Sequence, residues 1–232
     1  MKVILLFLSC FIALGANAQD TIKKSKSVGK FDEQFMVLKS DKNIRQGSYK
    51  LFAEKKIVAS GNYEKGKKVG IWNFYDNDVL EQQYDYTNNK LISEVPQKNI
   101  VCEIDDAQSG DVIKKAVIVG GYNGFKFMVA SAKFDEEALG SGINKLTHVV
   151  SLDANGKITS WSASVTNNDG VKIIHPDYSV LPDDAALFLP ATLNGQKTAC
   201  TVTIRMMQAG ESNDIAAPEG IKVHTGKKKG KS

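Results

Sequence analysis

The 232-residue chain has little of what catalysis most often uses: three cysteines and three histidines. His148, His175 and His224 stand far apart, none at metal-ligand spacing from a partner. HExxH, CxxC, GxSxG and phosphate-loop patterns are absent. The expectation is therefore no catalytic residue, no metal and no cofactor. Charge of one sign is lacking too: the formal net charge is +4. Much of the excess lies in the Lys-rich pieces 21–30 and 226–232, too few charges for strong nucleic-acid binding, so no nucleic-acid partner is expected. Beyond the first residues no apolar run approaches the roughly 20 residues of a membrane span, so no transmembrane anchor is expected.

What the chain does have begins at its start. Lys2, an apolar run from Val3 to Leu14 and the small residues of Ala16-Asn17-Ala18 predict a signal peptide, 1–18, cut after Ala18. A lipoprotein signal using Cys10 is the alternative. Export places the protein in the periplasm, with secretion or envelope association as the other outcomes. Cys102 and Cys200 then remain, and in an oxidising compartment they could form a disulfide. Two separately buried thiols is the competing reading.

A shift of 23 residues lays Gly47 on Gly70, Tyr49 on Trp72, Phe52 on Tyr75 and Tyr63 on Tyr86. It also lays Asp41–Gly47 on Glu64–Gly70. A fixed period of this length marks a repeat architecture. Short aromatic and β-branched runs, "GSYKLF" and "GIWNFY", lead through polar turns to "IVASGNY" and "LEQQYDY", so each unit reads as a β-hairpin. Gly61 to Tyr75 resembles the MORN-variant repeats of bacterial envelope proteins, with their G-x-W/Y-x-x-Y phrase and Y-x-x-G-K turn. The resemblance covers 41–92. It implies a meander of hairpins and gives Gly47, Tyr49, Tyr63, Gly70, Trp72, Tyr75 and Tyr86 structural roles.

From residue 119 the pattern changes. Phe125, Met128, Val129 and Ala132 fall at helical spacing. Two β runs flank Asn155-Gly156, predicting a hairpin with a two-residue turn. That register opposes Val150 to Trp161, His148 to Ala163, Leu146 to Val165 and Leu152 to Thr159. The last strand is expected over 198–207, with Cys200, Val202, Ile204 and Met206 facing inward and Thr201, Thr203 and Arg205 outward. Gly120-Gly121, Phe134–Ala138, Gly142-Ile143, Asp153–Lys157 and Phe188–Gly195 follow one another in an order that resembles the C-terminal domain of TonB, from Gram-negative envelopes. The Tyr-Pro and Trp of that pattern are replaced by Phe134-Asp135 and Phe188. The resemblance covers 119–207 and implies a protein-binding fold without the transducing anchor.

The expected fold class is α+β: the hairpin meander, then a small α+β domain with a three-stranded antiparallel sheet and one or two helices. The expected division is signal peptide 1–18, linker and first strand 19–40, hairpin repeats 41–92, linker 93–118, TonB-like domain 119–207 and a disordered Lys-rich tail 208–232. The expected function is non-catalytic protein binding in the cell envelope by β-strand addition to the C-terminal sheet. The partner would be an envelope protein such as an outer-membrane receptor segment. Thr201, Thr203, Arg205 and Phe134 are the candidate binding residues. The alternatives are a hydrolase site assembled from His175, Asp177 and Ser179, or a purely structural envelope protein.

Overall fold

A computed structural model of the chain describes residues 20–132, 143–181 and 187–209. The signal-peptide reading, Phe134, and most of the tail lie outside these residues.

Seven strands run in sequence as one antiparallel meander, each paired with the next. They are β1 (Thr21–Val28), β2 (Phe31–Leu38), β3 (Arg45–Ala53), β4 (Lys56–Glu64), β5 (Lys67–Asp76), β6 (Val79–Asp85) and β7 (Lys90–Glu94). Two hairpin tips 23 residues apart have the same form. Ala53 pairs with Lys56 across Glu54-Lys55, and Asp76 pairs with Val79 across Asn77-Asp78. All four tip residues have left-handed φ, 49°, 68°, 47° and 66° in order. That is the turn whose twist matches the strands it joins.

The repeat is equally visible inside. Tyr49 meets Tyr63 with ring centroids 5.5 Å apart and planes at 66°. Trp72 meets Tyr86, one repeat on, at the same 5.5 Å and 66°. Gly47 and Gly70 have φ of +91° and +64°, a backbone that an L side chain would strain. Tyr75 is half-buried, and its carbonyl accepts from the Asn123 amide at 2.9 Å. Residues 21–38 hold the hairpin β1–β2, where a linker and one strand were expected over 19–40.

The second half is built on a five-stranded sheet. In chain order its strands are β8 (Ile100–Glu103), β11 (Ile143–Leu152), β12 (Ile158–Asn167), β13 (Gly170–Ile174) and β17 (Cys200–Ala209). Across the sheet they run β13-β12-β11-β17-β8, with every pair antiparallel. Short strands β9 (Ile113–Lys114), β10 (Val117–Ile118), β14 (Phe188–Leu189), β15 (Ala191–Leu193) and β16 (Gln196–Thr198) make two small ladders beside it. One α-helix occurs among the described residues, α1 (Gly121–Ser131), burying Phe125, Met128 and Val129.

This corrects the α+β expectation. The protein is predominantly β, and its second sheet has five strands where three were expected. The extra two, β8 and β13, come from stretches read as linker and loop. Each is only four or five residues long, and its pairing with β17 or β12 is a long-range event that local periodicity does not carry. The last strand also runs to Ala209, two residues beyond its expected end at 207.

The central hairpin keeps Val150 opposite Trp161, His148 opposite Ala163 and Leu146 opposite Val165. Its turn differs from expectation. The Gly156 amide donates to Asp153 O and the Asp153 amide to Lys157 O, each at 2.9 Å, so three residues form the loop. Gly156 takes φ +82° there. A bulge beyond the loop restores the register, leaving Leu152 opposite Ile158 rather than Thr159.

The two sheets meet across α1. Phe127 packs edge-on against Phe31, centroids 5.4 Å apart. Buried Gln82 on β6 donates to Ile118 O at 3.0 Å and accepts from the Gly120 amide at 2.7 Å. One side chain of the hairpin sheet thus satisfies two backbone groups at the entry to α1. Left unpaired, such buried groups would each cost about 1–3 kcal/mol.

Candidate functional site

Strand addition needs an edge whose backbone groups face solvent. Thr201 and Thr203 are half-buried and Arg205 is exposed on the outward face of β17, as alternation requires. Yet β17 is not an edge. β11 flanks one side, and β8 covers the other with Thr201 opposite Glu103 and Thr203 opposite Val101. The Arg205 amide donates to Asn99 O at 3.0 Å. A partner strand cannot add beside Thr201 and Thr203, because residues 100–103 already do so.

The true ends of the sheets differ in protection. β1 carries Lys23, Lys24 and Lys26, charges that discourage edge-to-edge pairing. β7 is short, ends in Glu94 and is followed by Pro96. β8 is four residues long. β13 is different: Val171 and Ile173 point outward with 65% and 63% of their surfaces exposed. Neither residue is among the expected site residues. The available signal is the alternation in "GVKII" after the Asn167–Gly170 turn, where Asn167 Oδ1 accepts from the Asp169 amide at 2.9 Å.

No family model, curated protein or solved structure matches the chain. Its own geometry therefore carries the functional argument.

The residues of the hydrolase alternative lie just beyond β13, around the 3-10 turn Tyr178–Val180. His175, Asp177 and Ser179 are all exposed. Asp177 Oδ1 accepts from the Ser179 amide at 3.0 Å, capping the 3-10 turn Tyr178–Val180, and from the Ser179 hydroxyl at 2.6 Å. His148 is fully buried, and its Nδ1 accepts from Trp161 Nε1 at 3.1 Å. Burial pushes its pKa down to about 4, so it is neutral at pH 7. Among the described residues no group of three or more His, Cys, Asp or Glu side chains is placed to hold a metal.

Cys102 and Cys200 are brought together. Cys102 stands opposite Val202, and Cys200 lies two residues from Val202 on the same face. Both are free thiols here. A hydrogen bond from the Cys200 thiol holds the Cys102 pKa down to about 7, and the Ala116 amide also donates to Cys102 Sγ at 3.3 Å. The same contact, with burial, pushes the Cys200 thiol up.

The hairpin sheet holds a second polar arrangement. Glu33, buried on β2, accepts from Arg45 Nη2 at 2.9 Å and from the Tyr49 hydroxyl at 2.8 Å. Arg45 Nη1 donates to the Tyr63 hydroxyl at 3.0 Å. Burial and the Glu33 carboxylate drive the Tyr49 phenol far above its ordinary range. These groups form one wall of a cavity of about 700 Å³ between the sheet and α1.

Proposed function

We propose that this is a non-catalytic exported protein of the cell envelope that binds an extended protein segment by strand addition at β13. The observation that carries the reading is the exposed pair Val171 and Ile173 on β13, which flank Lys172 at an end of the five-stranded sheet. A partner strand would gain main-chain hydrogen bonds there and cover both side chains. The order of elements supports the TonB-like reading of 119–207: α1 entered at Gly120-Gly121, a hairpin turning at Asp153–Gly156, then Phe188–Gly195 leading into β17. The seven-stranded meander supports the MORN-variant-like reading of 41–92. The N-terminal sequence pattern supports export to the periplasm. The partner is an envelope protein, with an outer-membrane receptor segment as the leading candidate.

The test is affinity capture from envelope extracts with the mature chain and with the double variant Val171→Lys/Ile173→Lys. Both side chains are exposed, so circular dichroism should show an unchanged fold. The wild type should retain a specific envelope protein and the double variant should lose it. Equal retention by both, or none by the wild type, contradicts the proposal.

A further inference from the structure

Cys102 and Cys200 are distant in the chain, and the pairing of β8 with β17 brings their thiols into contact. Their surroundings differ. Cys200 is buried, 7% exposed, among the core residues of the five-stranded sheet. Cys102 is half-buried on β8, the last strand of that sheet, and packs against the same core from its margin. One sulfur is sealed in, and the other can be approached from the sheet's end.

Two donors converge on the Cys102 sulfur. The Cys200 thiol is one, and the Ala116 amide at 3.3 Å is the other. Lys115 adds a positive charge nearby, while burial and Glu103 act in the opposite direction. The balance leaves a substantial fraction of thiolate at Cys102 at neutral pH, whereas Cys200 keeps its proton. The thiolate is the nucleophile of thiol chemistry, so the two sulfurs have distinct parts: one attacks first and the other follows.

The placement of the pair sets the kind of bridge it makes. Cys102 stands opposite Val202, so Cys200 is its diagonal neighbour and not its direct partner. Diagonal positions lie about 7–8 Å apart. A disulfide spans Cα separations up to about 7 Å, so a bridge here needs a small shift of backbone. β8 has four residues and ends the strand order of its sheet, which makes it the strand that can shift. A bridge formed against that resistance is more easily reduced than a structural one.

We infer that Cys102 and Cys200 form a thiol–disulfide exchange site whose substrates are small disulfides such as glutathione disulfide. The Cys102 thiolate attacks one sulfur of the substrate. The substrate's S–S bond breaks, a mixed disulfide forms on Cys102, and the departing thiolate takes up the proton that Cys102 had released. Cys200 then attacks the Cys102 sulfur, closing the Cys102–Cys200 bond and expelling the second thiolate, which takes the Cys200 proton. The cysteine pair loses two electrons, and the substrate is reduced to two thiols. Excess thiol runs the same steps backwards. The site is separate from β13 and does not depend on strand addition there.

The test is incubation of the reduced, folded mature chain with glutathione disulfide, quenched with acid and read by intact mass and peptide mapping. The wild type should lose two hydrogens and yield a linked Cys102–Cys200 peptide. A reduced-glutathione excess of about hundredfold should return it to the dithiol. Cys200→Ala should stop with one glutathione on Cys102, because the second thiol is gone. Cys102→Ala should react at least about tenfold more slowly than wild type, because its remaining thiol is buried and protonated. Circular dichroism checks the fold of both variants, and the wild-type link with its reversal decides the matter if a variant fails to fold. Absence of the linked peptide in wild type, a link that survives the reduced-glutathione excess, or equal rates for wild type and folded Cys102→Ala overturns the inference.

Discussion

The Trp72 indole lies directly against Gly61 on the neighbouring strand: a Cβ at position 61 would sit 2.2 Å from Trp72 Cδ2 and 2.3 Å from Cε2. Trp72 also donates from Nε1 to Asn62 O at 3.2 Å, so the ring is fixed on two sides. A methyl group here must move a fully packed indole. Gly61→Ala is expected to destabilise the protein by about 2–3 kcal/mol. Gly66→Ala is the comparison, because nothing lies within 4 Å of its Cβ and only its φ of +82° resists. It should cost about 1 kcal/mol. Urea denaturation of both variants checks this, and equal losses would contradict the packing argument.

Gln82 joins the halves through two buried hydrogen bonds, to Ile118 O and from the Gly120 amide. Gln82→Leu fills similar volume but leaves both backbone groups unpaired. A loss of about 2–4 kcal/mol is expected in urea unfolding. A neutral effect would mean that these bonds do not hold α1 against the hairpin sheet.

His148 makes stability depend on pH. Its ordinary pKa is 6.5 and its folded value about 4, because burial disfavours the charged ring. The unfolded chain therefore takes up the proton first as pH falls. The contribution is fully present above pH 6.5 and is lost between 6.5 and 4, by up to about 3 kcal/mol. Asp85, Asp111 and Asp153 have pKa values lowered from 3.8 by hydrogen bonds, so their losses come at lower pH. Urea unfolding measured from pH 7 to 4.5 should show this slope. A flat profile across that window would show that His148 is protonated in the folded protein.

Cys102 should react ahead of Cys200. Alkylation of the reduced, folded protein by iodoacetamide is expected to modify Cys102 first, with a rate midpoint near its pKa of about 7. Cys200→Ala removes the donor and should move that midpoint toward the ordinary value of 9.0. Mass spectrometry of tryptic peptides reads both results. Earlier modification of Cys200, or an unmoved midpoint, would contradict the hydrogen-bonded pair.

The hairpin sheet was legible because its information is local and repeated. The 23-residue period picks out Tyr49, Tyr63, Trp72 and Tyr86, and those rings form the packed inner face. The hairpin register at Val150 and Trp161 was legible for a similar reason, since only one pairing sorts apolar from polar residues. The turn was not, because Asp153 accepts from the Asn155 and Lys157 amides, at 2.8 Å and 2.9 Å, and stabilises a longer loop than Asn-Gly alone suggests. Residues 21–30 fell in the expected linker and first strand, and in the structure Lys23, Lys24 and Lys26 lie on strand β1, where they guard an edge. The C-terminal sheet was half read. β8 and β13 are brief, and what makes them strands is a partner distant in sequence. Missing β8 put the candidate edge on β17, one strand too far inside.

Strand addition at β13 is the central claim, and hydrogen–deuterium exchange in the presence of the captured partner tests it most directly. Amides of residues 170–174 should slow markedly on binding, while those of 100–103 and 201–204 keep the exchange rates of the free protein. Protection confined to 100–103, or unchanged exchange across 170–174 at saturating partner, would contradict it.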